Sequence, residues 1–131
     1  MSSSPYTQAQ ILLIKAGEDE QALHAPGNPE SILGFHAQQA VEKLLKALLA
    51  ALSIPFELTH NLGRLLNAIH AAGESLPVTP LSLSQLNDFA VVYRYDLLIP
   101  IASPNRNDLI ETVRVIREHV TARIAALSTA P

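Results

Sequence analysis

The sequence predicts an all-α protein, most simply an antiparallel up-and-down bundle of four to five helices. Apolar residues recur at helical spacing across residues 32–52 and again across residues 109–127. No segment alternates between apolar and polar residues strictly enough to predict a strand, and glycine is scarce. The 131 residues suffice for one domain with a buried core, so we expect a single helical domain over residues 1–131.

Proline and glycine divide the chain into five helical segments. The predicted helices span about residues 6–24, 30–52, 60–72, 82–98 and 105–127. Two of the starts carry N-cap signals, because Gln85 follows Ser82 by three residues and Asp108 follows Asn105 by three. The second segment is apolar nearly all round, so we expect it to be the central helix of the bundle.

Composition excludes several classes of protein. Nine basic and twelve acidic residues give a formal net charge of −3, so no overall positive field would hold nucleic acid non-specifically. The absence of cysteine excludes disulfides and thiolate chemistry and fits a reducing cytoplasm. The start of the chain lacks the pattern of a signal peptide, and no apolar run has the length of a membrane span. We expect a cytoplasmic protein with no membrane partner.

Most of the polar side chains of the second helix follow one line along it. These residues, which we call the polar stripe, are His36, Gln39, Lys43 and Lys46, at steps of three, four and three. Gln38 and Glu42 lie beside the stripe, and Glu42 precedes Lys46 in the favourable order for a helical ion pair. The stripe is either the one solvated face of this helix or the lining of a cleft for an anion or a base.

Arg94 lies in the apolar run VVYRYDLLIP, where a charge must reach water, form an ion pair or bind a ligand. One interpretation pairs it with a carboxylate such as Asp96 or Glu42. The other places it over the same cleft as the polar stripe, where its planar guanidinium would clamp a phosphate bidentately. Only one of the two flanking tyrosines can share its face. We expect this to be Tyr95, stacking on a base or donating its hydroxyl.

His60 opens the third helix and is a further candidate for anion binding. The free backbone N–H groups at a helix start favour anions, and an imidazole there would add to them. In the alternative, Thr59 or Asn61 caps the helix and His60 packs locally.

Three parts of the chain, in this order, resemble a HEPN domain, a family named for higher eukaryotes, prokaryotes and nucleotide binding. They are the block F-x-x-Q-Q-A-x-E-K-x-x-K-A-L at residues 35–48, Thr59–Leu62, and the pair Arg94–Tyr95. The resemblance extends over most of the chain. It implies an up-and-down helical bundle that dimerises, with a polar cleft near the dimer axis. In many bacterial members it also implies a minimal nucleotidyltransferase partner.

Many members of that family are metal-independent ribonucleases, whose motif is an arginine followed after four to six residues by a histidine. The resemblance places Arg94 at the expected position, but residues 99–101 are Ile-Pro-Ile, so the histidine is missing. Two literal matches occur elsewhere, Arg64 with His70 and Arg114 with His119. Roughly one match is expected by chance, and helical geometry separates both pairs around their axes. A nuclease would therefore combine Arg94 with His36 or His60.

Metal and cofactor chemistry find no support in the residue pattern. The five histidines are scattered without the spacing of metal ligands, and the chain has neither a Gly-rich phosphate loop nor a Ser-His-Asp arrangement. We therefore predict no metal ion and no cofactor.

Three functions follow from these observations. The first is a HEPN-like module that binds a nucleotide or RNA phosphate and forms a homodimer beside a minimal nucleotidyltransferase, as in a toxin–antitoxin pair. Its predicted ligand residues are His36, Gln39, Lys43, Lys46, Arg94, Tyr95 and His60. The second is a divergent metal-independent ribonuclease, with Arg94, His60 and His36 as catalytic candidates. The third is a structural interaction subunit, because hydrophobic residues make up 48% of the chain and a partner would cover apolar surface.

Overall fold

A computed structural model describes residues 4–56, 58–95 and 105–129, with the backbone alone for residues 30, 31 and 90–95. Five α-helices and no strand occur in these residues, which confirms the all-α prediction. The helices are α1 (Pro5–His24), α2 (Glu30–Ala51), α3 (Leu62–Ala71), α4 (Leu83–Tyr95) and α5 (Arg106–Thr129). The end predicted for α4, residue 98, lies outside the described residues. Within those residues, none of the helices combines the length and apolarity that crossing a bilayer requires.

The centre of the bundle is α2, as predicted. It packs against each of the other four helices. Every apolar residue between Val41 and Leu49 has no solvent exposure, which is what a helix that is apolar all round requires. Helix α5 contributes to the core a stripe of apolar side chains at helical spacing. Its members are Leu109, Val113, Ile116, Val120 and Ile124.

Side-chain caps begin four of the helices, among them α1, where the Ser4 hydroxyl accepts from the backbone N–H of Thr7 at 3.2 Å. The predicted capping box at α4 is present, because the Ser82 hydroxyl accepts from the Gln85 backbone N–H at 3.2 Å and Gln85 Oε1 accepts from the Ser82 N–H at 2.8 Å. The carboxamide oxygen of Asn105 caps α5, and that of Asn61 caps α3. The sequence thus determines where these helices begin.

The helix α1 lies antiparallel to α5. At one end the Tyr6 hydroxyl donates to the carbonyl of Leu127 at 2.9 Å, and at the other Arg106 donates to the carbonyl of Ala25 at 3.1 Å. Between these ends Arg117 of α5 binds Glu20 through two contacts of 2.6 and 2.7 Å. This pairing places the inner face of α1, with Asp19, against α2.

Gly34 permits α4 to lie unusually close to α2. A Cβ atom at this position would lie 2.8 Å from the Cβ of Phe89, closer than carbon atoms can approach without displacement. Since α4 also carries Arg94, the position of that residue depends on this contact.

The connection between α3 and α4 is held against α5. Arg123 donates to both oxygens of Glu74, at 2.8 and 2.9 Å, and the hydroxyl of Thr112 accepts from the backbone N–H of Leu81 at 3.1 Å. The hydrogen bonds from Arg123 lower the pKa of Glu74, with smaller contributions from the charges of Arg123 and His119.

Replacing Gly34 with alanine should lower the free energy of unfolding by about 1–3 kcal/mol, because α4 must move away from α2. The matched control is Gly17→Ala on α1, where the nearest atom, Nη2 of Arg117, lies 3.8 Å away. That variant should be neutral or gain about 0.5–1 kcal/mol from helix propensity. Urea denaturation measures both. A similar gain in the two variants would show that the Phe89 contact does not hold α4.

The Glu74→Gln variant should lower the thermal midpoint at pH 7 by a few degrees, because it removes an ion pair. A carboxyl whose pKa is depressed in the folded state stabilises that state fully above its ordinary value, about 4.3, and loses the contribution as the pH falls through the depressed value. The difference from the unmodified protein should therefore shrink below about pH 4. Glu18→Gln, an exposed carboxyl on α1, is the control. A difference independent of pH would contradict this account.

Candidate functional site

Two members of the polar stripe share one buried carboxylate. His36 and Lys43 are seven residues apart, about two turns of α2, so they lie on the same face. Between them Asp19 of α1 accepts from Nδ1 of His36 at 2.8 Å and from Nζ of Lys43. The Asp19 side chain is only 9% exposed. A carboxylate at this depth requires compensating charges, and these two side chains supply them.

A second buried carboxylate organises the other end of the stripe. Glu42, 4% exposed, accepts from Nζ of Lys46 at 3.1 Å, which confirms the predicted helical ion pair. It also binds Nδ1 of His60 at 2.9 Å. Gln38 donates to the backbone carbonyl of His60 at 2.8 Å, and Gln39 donates to Oε1 of Gln38 at 2.7 Å. These contacts attach the connection between α2 and α3 to the stripe.

Between residues 36 and 51 the four stripe members are the only ones that are not buried, so the stripe is the least buried face of α2, and that face is partly covered. The Lys43 side chain is 26% exposed and that of Lys46 13%, because α1 and the α2–α3 connection cover them. Each carboxylate is matched by one lysine and one histidine, so each cluster is electrically balanced while its imidazole is neutral. The site is therefore a fixed set of donors with little excess positive charge.

Asp19 is the site residue that sequence reasoning missed. It continues the buried stripe of α1 formed by Ala9, Leu13, Ala16 and Leu23. A carboxylate at a core position of an amphipathic helix was the available signal, because such a group must meet a cation on the facing helix.

The start of α3 does not offer free backbone donors. The N–H of Leu62 donates to Oδ1 of Asn87 at 3.0 Å, and those of Gly63 and Arg64 donate to Oδ1 of Asn61 at 2.8 and 3.3 Å. These backbone donors are therefore used within the protein and Asn61 caps the helix, whereas His60 binds Glu42 instead of packing locally. His60 remains a candidate through its imidazole, which is 59% exposed beyond its bond to Glu42.

The side chains of Arg94 and Tyr95 lie outside the described residues, as does Asp96, so their predicted roles stay predictions. The backbone of Arg94 and Tyr95 forms the end of α4. This helix passes from Asn87, beside the start of α3, to Phe89, beside Gly34. Arg94 is five residues further, about 7.5 Å. Along the axis of α2, its backbone therefore lies nearer to His36 than to Lys46.

The two literal matches to the nuclease motif do not assemble a site. Arg114 is bonded to Glu111 and Glu118 on the exposed side of α5, at 2.9 and 2.7 Å. His119 instead lies near Glu74, whose pKa its charge lowers. Arg64 and His70 are six residues apart on α3, about 240° around its axis. Among the described residues, no three His, Asp or Glu side chains are grouped as a metal site requires.

Comparison with known proteins identifies the family. A family model of the HEPN domain matches residues 20–123, which include the whole of α2, α3 and α4 and most of α5. No curated protein and no solved structure matches the chain. Because the matched residues are most of the 131, the chain belongs to the HEPN family, which indicates a nucleotide- or RNA-related function.

Proposed function

We propose that the protein binds a nucleotide, or the phosphates of an RNA, through the polar stripe and His60. The observation that carries this proposal is that two buried carboxylates, Asp19 and Glu42, each hold one lysine and one histidine in place. A binding site needs donors whose orientation is determined before the ligand arrives, and such second contacts supply it.

The same contacts leave donors for a ligand. A lysine ammonium carries three N–H groups, and a bond to one carboxylate oxygen uses one of them. Because an ionised carboxylate only accepts, Nδ1 of His36 and of His60 donates to it. The other ring nitrogen, Nε2, is then available to a phosphate when the imidazole is protonated. His36, at 30%, and His60, at 59%, are the more exposed donors of their clusters and are the expected first contacts.

The proposal includes a homodimer that acts beside a minimal nucleotidyltransferase, as in a toxin–antitoxin pair. Membership of the HEPN family supports it. Apolar surface for such contacts is present on α1, where Ile11 and Ile14 are exposed one turn apart. Light scattering should give twice the 14.2 kDa of one chain, and a small nucleotidyltransferase should be encoded beside the gene. A monomer at high concentration would contradict this part.

One observation favours a second candidate, a divergent metal-independent ribonuclease. His36 and His60 are both oriented through Nδ1 by a buried carboxylate, as histidines that transfer protons are. Arg94 would brace the scissile phosphate.

Adenosine monophosphate should raise the thermal midpoint in proportion to ln(1 + [L]/Kd), with a shift that shrinks as salt is added. In the His60→Gln variant, affinity measured by calorimetry should fall roughly ten- to a hundredfold, the effect of one lost charged hydrogen bond. His70→Gln, an exposed histidine at the other end of α3, is the control and should bind normally. A protein that no nucleotide or RNA stabilises would instead be a structural subunit.

Pure protein should leave RNA intact in the presence of a metal chelator, as the first proposal requires. Gel analysis of a labelled single-stranded RNA measures this. Cleavage that is lost in both Arg94→Ala and His60→Gln, and retained in His70→Gln, would establish the ribonuclease in its place.

A further inference from the structure

A small pocket lies between the α2–α3 connection and α3, beside the Glu42 cluster. Its volume is about 160 Å³, and its lining residues are Pro55, Phe56, Thr59, Arg64, Leu65 and Ala68. Among them only Thr59 and Arg64 bring polar side chains. The pocket is smaller than the clefts of about 300–1,000 Å³ that hold drug-sized ligands, so it can receive one ring system but not a whole nucleotide.

Two lining residues of the pocket neighbour the proposed phosphate site. Phe56 lines the pocket, and Nζ of Lys46 lies over its ring at 6.0 Å from the centroid. Lys46 in turn binds Glu42, which holds His60. Thr59, another lining residue, directly precedes His60. The ammonium of Lys46 and the residue His60 are thus direct neighbours of residues that line the pocket.

The lining has the chemistry that recognises a nucleobase. A base has flat apolar faces and polar edges, and aromatic side chains bind it by stacking. Phe56 supplies an aromatic ring, and Pro55, Leu65 and Ala68 supply apolar walls. Arg64, whose planar guanidinium can stack or hydrogen-bond, lies at the exposed side. An aliphatic ligand would not use the aromatic ring, and an inorganic anion would not use the apolar walls.

We propose that this pocket receives the base of a nucleotide whose phosphate is bound by His60 and Lys46. The inference rests on the proposed function and assigns the base, which that proposal leaves unplaced, to Phe56, Thr59 and Arg64. The α2–α3 connection then contributes both halves of the site, the base pocket through Phe56 and the phosphate contact through His60.

Calorimetry with two matched ligands, adenosine monophosphate and ribose 5-phosphate, tests this assignment. Stacking on an aromatic side chain changes base affinity by roughly five- to a hundredfold, so the nucleotide should bind at least about fivefold more tightly than the sugar phosphate. In Phe56→Leu the ratio of the two affinities should fall to near one. Leu58→Ala is the control, because Leu58 belongs to the same connection, is fully exposed and does not line the pocket. Its ratio should be that of the unmodified protein.

The outcomes separate this inference from the proposed function. If both ligands bind equally well to the unmodified protein, or if Phe56→Leu retains the full ratio, the base pocket is refuted while the phosphate site stands. If neither ligand binds, the proposed function fails and the inference with it. Because Phe56 packs against the core, a folding defect in Phe56→Leu is checked by thermal denaturation.

If Phe56→Leu does not fold, nuclear magnetic resonance of the unmodified protein tests the base pocket instead. Amide resonances of the unmodified protein are followed while each ligand is added. The shifts caused by the nucleotide but not by the sugar phosphate should cluster at Thr59, Arg64, Leu65 and Ala68. Base-specific shifts that cluster elsewhere, for example around His24 and Arg114 between α1 and α5, would overturn the inference.

Discussion

The packing of α2 against all four other helices is the constraint on which the candidate site depends. It leaves only a narrow, partly covered face for polar residues, so the charged groups there are paired within the protein. Asp19 and Glu42 are those partners. Removing one member of a buried ion pair costs about 3–5 kcal/mol, because the remaining charge is left without compensation. The site is therefore part of what holds α1, α2 and the α2–α3 connection together.

The two buried carboxylates neutralise the positive charge that two lysines on one helix face would otherwise present. Lys43 and Lys46 are each matched by a carboxylate that is more than nine-tenths buried, and a histidine completes each cluster. The result is a set of oriented donors rather than a positive patch. Such a site selects a ligand by geometry, because little net charge is available to attract anions in general. It also agrees with a chain whose formal charge is −3.

The connection between α2 and α3 is the other element on which function depends. Its end is attached to α2 through Gln38 and Glu42, and its cap residue Asn61 uses the first donors of α3. A connection anchored at both the carbonyl and the imidazole of His60 can hold a ligand in a defined place, which a mobile loop cannot do without an entropic cost. Phe56 and Thr59 belong to the same connection, so the proposed base and phosphate contacts would lie on one segment of the chain.

The sequence by itself determined the secondary structure and the helix at the centre. Helical periodicity, the helix-breaking prolines and glycines, and the caps at Ser82 and Asn105 are local signals. They act over a few residues and do not depend on how the helices pack. It also determined the polar stripe and the Glu42–Lys46 pair, since both lie within one helix. Tertiary structure alone decided the partners that come from other elements. Asp19 and His60 are far from the stripe in sequence, and only the packing of α1 and of the α2–α3 connection brings them there. One backbone donor at the start of α3 is used for the same reason, because Asn87, which accepts from Leu62, comes from α4, 25 residues away.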